Sequence, residues 1–428
     1  MRNFKDIILK EDKFLLISTF LLCLLPISIL AGSLVSNFIL VLLFFSFLSY
    51  CFIRKKLSLF QNKIFFILLF FWVGLIINFF FSEFRENSFS RTFGFFRFLI
   101  LSISVYYIFN FKNIYLKNII LNFWFITFLI VIIDLIIEFS LGKNILGYSS
   151  NYLGRLASFT GDELKIGHFF LAFSFIFISI VYEKTRNFKI AFFSISIILI
   201  LSFLIGERAN FLKLLLISNL FLFFVFFFSK KLKFFFILNL LIFLIGFSFI
   251  SLNKIYNLGD KLDYYDNRYN IRYFKEFERI LDSSLIEYIK NDTRHGLHYY
   301  TALNIFKENK ITGVGLKNFR KFSMDEKFVP QFSNKVMHST HPHQVILEIL
   351  SEMGLLGATF FLITFIYSFI ISFKSNMKKK YFIGISATLF ILISFLPLIP
   401  SGSFFTSYGA TLFWINFGLM FKNSDQFS

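Results

Sequence analysis

The residues best suited to chemistry stand at 338–357, His338-Ser-Thr-His341-Pro-His343-Gln-Val-Ile-Leu-Glu348-Ile-Leu-Ser-Glu352-Met-Gly354-Leu-Leu-Gly357. Pro342 predicts the opening of a helix, because first-turn N–H groups have no intrahelical partner to lose. His343 would then lie in that first turn, on one face with Leu347, Leu350 and Gly354, while Glu348 and Glu352 form another row. The strongly apolar run begins only at Leu355. In a continuous helix the imidazole therefore sits roughly 18 Å before it, at or above a membrane surface. The positive end of a helix and nearby arginines disfavour an imidazolium and leave a neutral ring that can accept a proton. That is the requirement for a general base. The plain alternative is an exposed histidine without a role. A metal at His338, His341 and His343 is not expected, since no carboxylate or cysteine follows at ligand spacing and a proline separates His341 from His343.

Cations upstream suggest an anionic partner. Arg208 stands in Gly206-Glu-Arg-Ala-Asn-Phe, a short turn between two apolar runs, and Lys213 follows five residues on. Arg294 stands in Thr293-Arg-His-Gly-Leu-His-Tyr-Tyr, just before a helical pattern. Each has a bland reading, as an interfacial anchor or a solvated charge. Together with a helix N-terminus they make a site for a diphosphate, which the arginine fork binds bidentately at any relevant pH. Arg97 lies inside an apolar run, where a charge faces a cavity, a partner or the interface, and Asp134 and Glu138 are candidate partners. Glu348 and Glu352 either orient an arginine or solvate a helix face.

The elements that must position these groups are membrane spans. Of 428 residues, 57% are hydrophobic and 72 are phenylalanine, more apolar surface than a soluble domain can bury. The two cysteines, Cys23 and Cys51, fall in apolar runs and form no disulfide or zinc pattern. The pattern predicts an all-α polytopic membrane protein with about twelve spans, near 14–31, 33–53, 63–82, 92–110, 118–140, 166–183, 189–206, 211–229, 234–252, 350–373, 381–398 and 404–421. Three regions follow: 1–252 with about nine spans, a loop with the candidate chemistry at 253–349, and 350–428 with about three spans. Lysines and arginines cluster in alternate connections, among them Arg54, Lys55 and Lys56, then Lys230, Lys231 and Lys233, then Lys378, Lys379 and Lys380. That bias puts both termini in the cytoplasm and the long loop outside, which in a bacterium is the periplasm. Much of the net charge of +19 is thereby topogenic, and nucleic acid is not an expected partner.

The pattern His-x-His-Gln-x-x-Leu-Glu-x-x-x-Glu-x-Gly-Leu-x-Gly at 341–357 resembles the O-antigen ligase and O-antigen polymerase superfamily. Arg294 with Ala302-Leu-Asn-Ile-Phe and Gly313-Val-Gly315-Leu-Lys-Asn-Phe319 is similar to that family's upstream segment, and Gly206-Glu-Arg208-Ala-Asn to its outward Gly-x-Arg turn. Arg155 through His168 is similar to the stretch before its sixth span, less specifically. Gln344 stands where the family usually has Asn, and Lys310-Ile where a proline is frequent.

The resemblance implies a membrane-embedded, GT-C-like glycosyltransferase that needs no metal or other cofactor. Its donor would be an undecaprenyl-diphosphate-linked glycan, its acceptor lipid A–core or a growing glycan, its setting the periplasmic face of the inner membrane with membrane lipid around it. Carried over, His343 would be the base and Arg208 and Arg294 would hold the diphosphate, with Lys213, His341, Arg97 and Glu348 as possible support. A ligase is the favoured reading. A polymerase or an O-linked protein glycosyltransferase would share its donor. A transporter or flippase is the rival of another class, disfavoured because the large loop after the ninth span breaks the two-fold repeat such proteins show.

Overall fold

The computed structural model describes residues 12–151, 155–163, 165–237, 239–240, 295–329, 338–397 and 399–421. Arg294, most of the predicted span 234–252 and the first part of the long loop lie outside the described residues.

Among the described residues the regular structure is helical, and nine segments are long and apolar enough to cross a membrane. The chain is a polytopic membrane protein. Its long helices, such as Lys63–Phe81 and Phe188–Ile205, are apolar on all sides, as helices must be that face lipid on one side and one another on the other. Polar side chains mark where they begin. Asp12 accepts from Phe14 N at 2.8 Å, Asn62 from Ile64 N at 3.0 Å and Asn187 from Lys189 N at 2.9 Å, each satisfying a first-turn donor.

The chain divides into two compact units, one from 1–127 with 292–428 and one from 128–291. Sequence regions 1–252 and 350–428 thus both contribute to the first unit. That unit contains α1 (Lys13–Leu30), α2 (Ser33–Ile53), α3 (Lys63–Phe81), α4 (Arg85–Gly94) and α5 (Phe96–Asn110). Helix α6 (Ile114–Leu141) crosses the boundary, and the second unit holds α7 (Ile166–Thr185), α8 (Phe188–Ile205) and α9 (Arg208–Phe228). The first unit then resumes with α10 (His295–Glu308), α11 (Phe319–Phe322), α12 (Val345–Lys379), α13 (Phe382–Ser394) and α14 (Ser407–Met420).

The fourth predicted span lies within the 26-residue segment Arg85–Asn110, whose first part, α4, is polar on one side and carries Arg85, Glu86 and Arg91. Two predicted spans take a different form. The last two appear as α13 and α14, of 13 and 14 residues, about 20 Å each and shorter than a hydrocarbon core of about 30 Å.

In the first unit α12 packs on α3, α10 and α13, and α14 packs on α5. Aromatic rings fill the junction: Phe95 lies 5.5 Å from Trp414, Phe71 5.9 Å from Phe365, and Phe404 4.9 Å from Phe413. These rings form one apolar junction where α3, α12 and α14 meet. A smaller core of Ala302, Ile305, Val314, Phe319 and Phe328 holds the described part of the long loop together, with Leu347 of α12 packed against it. In the second unit α7, α8 and α9 pack on one another, with Phe175 and Phe221 at 5.7 Å.

The expectation of a continuous helix through Gly354 is corrected. Gly354 has φ 63° and ψ −166°, and the helix breaks there. Leu355 N donates to Lys310 O at 2.8 Å and Leu356 N to Ile311 O at 2.9 Å, so the restarting helix takes its first partners from the 310–315 turn. On the other side of the break Val314 N donates to Ser351 O at 3.0 Å and Gly315 N to Glu352 O at 2.8 Å. Asn78 of α3 closes the arrangement by donating to Thr312 O at 2.7 Å and Glu352 O at 3.1 Å. The buried backbone groups freed by the break are thereby satisfied, as the membrane environment demands.

Candidate functional site

Helix α12 starts at Val345, three residues later than Pro342 suggests, because Gln344 is its cap: its side chain accepts from Leu347 N at 2.7 Å. A glutamine serves at this N-cap where the resembling family usually has asparagine. His343 therefore precedes the helix instead of lying in its first turn, and its backbone is left-handed, φ 59°. That conformation costs a non-glycine residue about 1–3 kcal/mol and persists where its surroundings fix it. Ser401 N donates to His343 O at 2.8 Å, and Ser339 Oγ lies 3.3 Å from His343 Nε2.

Three further imidazoles surround His343. The ring of His341 is 4.2 Å away between centroids, that of His298 5.2 Å and that of His295 5.4 Å. Burial, and after it the neighbouring imidazoles of His341, His295 and His298, push His343 down to about 3. His298 and His341 are each pushed down to about 4, again by burial first. The direction matches the sequence expectation of a neutral ring, but the leading cause is desolvation and not a helix terminus. Among the described residues no group of three or more His, Cys, Asp and Glu side chains is arranged to hold a metal.

Beside the histidines a cleft is lined by Arg91 of α4, Lys317 and Arg320 of the 315–320 turn, His341, and Glu348 and Glu352 of α12. Segments that the charge pattern assigns to one side of the membrane, 83–91, 253–349 and 399–403, all contribute to its surroundings. The glutamates do not solvate a helix face; both are buried. Glu348 accepts from Ser403 Oγ and, at 2.8 Å, from Phe404 N. Glu352 accepts from Lys317 N at 2.9 Å and Phe319 N at 3.1 Å, which holds Lys317 in a left-handed backbone, φ 67°. Arg91 donates to Phe405 O.

Arg97 donates to Gly94 O at 2.5 Å, Ser407 Oγ at 3.1 Å and Asn37 Oδ1 at 3.3 Å, and lies 4.5 Å over the ring of Phe98. Asp134 and Glu138, its suggested partners, are engaged elsewhere. Asp134 accepts from Ser158 Oγ at 2.5 Å and Ile145 N at 2.8 Å, and Glu138 from Ser158 N at 2.7 Å.

In the second unit Gly206 closes α8 with φ 78°, and Arg208 is the first residue of α9, half-buried at its positive end. Glu207 beside it accepts from Gly167 N at 3.1 Å and from Asn210 Nδ2, and burial pushes its carboxyl up to about 7. Lys213 is buried one turn further on.

Sequence reasoning missed Arg91, Lys317, Arg320, His295 and His298. The two histidines were legible, since residues three apart on a helix share a face. The cations were not, because only the fold brings α4 to the 315–320 turn.

Residues 190–362 match the family model described as O-Antigen ligase. That stretch is similar to the O-antigen ligase family. It runs from α8 through the break in α12 and contains Arg208, the His343 cluster and both buried glutamates. No curated protein matches the chain.

Proposed function

We propose that this chain is a glycosyltransferase of the O-antigen ligase type, moving an undecaprenyl-diphosphate-linked glycan to lipid A–core on the periplasmic face of a bacterial inner membrane. His343 takes the proton of the acceptor hydroxyl. The acceptor oxygen bonds to the anomeric carbon as the bond from that carbon to the diphosphate breaks, with inversion and without a metal. Undecaprenyl diphosphate leaves, carrying the bonding pair.

The supporting observation is a half-buried imidazole, held neutral, beside a cationic cleft, inside the segment that matches the O-antigen ligase model. A ring held near 3 is a weak base by itself. An arriving diphosphate adds negative charge, favours the imidazolium and raises the ring's proton affinity toward the useful range. Arg208 and Arg294 are assigned to the diphosphate on the sequence motif, and cations aimed at the leaving oxygens lower the barrier as charge develops there. Both termini are cytoplasmic on the charge pattern.

The test is a gene deletion complemented with wild-type or His343→Ala, read by lipopolysaccharide gel and by extraction of lipid-linked glycan. A ligase leaves long polymer on the carrier and none on the core. Core bearing a single repeat would make the chain a polymerase. An unchanged ladder, with no second copy in the genome, would remove both.

A further inference from the structure

The cleft holds more cation than its carboxylates use. Each glutamate is already an acceptor for two local donors, Glu348 for Ser403 and Phe404, Glu352 for the Lys317 and Phe319 amides. Arg320 lines the same cleft, and its buried Nε has no hydrogen-bond partner among the described residues. The same holds for Nε2 of His341, which lies in the cleft wall one ring contact from His343. Lys317 is held in a strained backbone by the Glu352 carboxylate, and burial, then Arg320, then Arg91, push its amine down. Like charges so gathered, with buried donors left open, are the arrangement that an oxyanion relieves.

We propose that this cleft is a phosphoryl-binding subsite next to the base, with Arg320 and Lys317 as its cations, Arg91 as a third and the free nitrogen of His341 as a further contact. Guanidinium forks and an ammonium suit the several oxygens of a tetrahedral anion better than a single carboxylate would. The inference rests on the transferase reading for the source of the phosphate, which is either the donor diphosphate or a phosphate carried by the acceptor. A cationic anchor this near His343 would fix which hydroxyl, or which diphosphate oxygen, meets the base.

The experiment uses full-length protein in nanodiscs of zwitterionic lipid, titrated calorimetrically with inorganic phosphate and with inorganic pyrophosphate. Arg320→Gln and Lys317→Gln each raise Kd by about tenfold or more, as expected for a lost charge-assisted contact. A loss confined to pyrophosphate assigns the subsite to the donor; an equal loss for both ligands assigns it to an acceptor phosphate. Unchanged Kd values in both variants, or no binding to the wild type, overturn the proposal. The Arg320 Nε has no hydrogen-bond partner among the described residues and Lys317 is bound through its main chain, so both variants are expected to fold. An unchanged lipopolysaccharide ladder on gene deletion would remove the transferase reading, and His343→Ala retaining glycan transfer would remove the base assignment, each leaving the titrations as they stand.

Discussion

Gly313 and Gly354 interlock. A Cβ on Gly313 would fall 2.4 Å from the carbonyl carbon of Glu352, and one on Gly354 would fall 2.4 Å from the carbonyl oxygen of Ile311. Both glycines are left-handed, with φ 65° and 63°. The Gly-Val-Gly turn and the Glu-x-Gly of α12 are therefore two halves of one backbone joint, and each motif explains the other.

Gly354→Ala should unfold the joint. Its φ and ψ lie in a region nearly closed to side chains, worth about 1–3 kcal/mol before the clash with main chain is added. Gly142→Ala should be milder, because Gly142 is also left-handed, φ 73°, but an added carbon there meets no neighbour. Thermal unfolding of the two variants in the same detergent checks the contrast. Equal melting temperatures would contradict the joint.

His343 should set an unusual pH dependence. The proposed base acts as the neutral ring, which in the free protein persists from high pH down to about 3. Accordingly kcat/KM should show no acid limb from His343 near 6.5, its ordinary value. Once the diphosphate is bound the imidazolium is favoured, so the acid limb of kcat should lie at higher pH than that of kcat/KM. His343→Ala should lose about 10²–10⁴-fold in transfer. Coincident limbs at 6.5 in both profiles would count against the half-buried base.

Glu348→Ala leaves the Ser403 hydroxyl and the Phe404 amide without their acceptor. Each orphaned donor costs about 1–3 kcal/mol. Glu348→Gln keeps one acceptor oxygen and should destabilise less. Melting temperatures in the order wild type, Gln, Ala would bear this out.

Glu207 should make the second unit weaken with rising pH. Its carboxyl is pushed up to about 7 in the folded protein, against an ordinary 4.5. Between those values the unfolded chain has released the proton and the folded one retains it, so stability is full at low pH and falls as pH rises toward 7. Glu207→Gln has no such proton. Its melting temperature should drop less between pH 5 and pH 8 than that of the wild type.

The spans from Lys13 to Phe228 were legible because membrane helices announce themselves by length and apolarity alone. The break at Gly354 was not, since a single glycine within an apolar run reads equally well as helix and its partner turn lies some forty residues upstream. Pro342 was misleading for a local reason: Gln344 caps better than proline opens, which moved His343 out of the helix and into a left-handed bend. His343, Glu348 and Glu352 stood out by their spacing, yet the roles of the glutamates depend on Ser403, Phe404 and Lys317, which no periodicity connects to them. Arg91 was hidden in a short polar helix that hydropathy alone assigns to a connection.

The bond from Ser401 N to His343 O joins main chain to main chain. No side chain at 401 is needed to make it, and none at 399 or 400 enters it. Position 401 can thus vary in side chain without loosening its hold on His343, whereas position 403 of the same connection cannot, since Ser403 Oγ is a donor to Glu348. Lineages of such a protein would be free to change the one position and not the other.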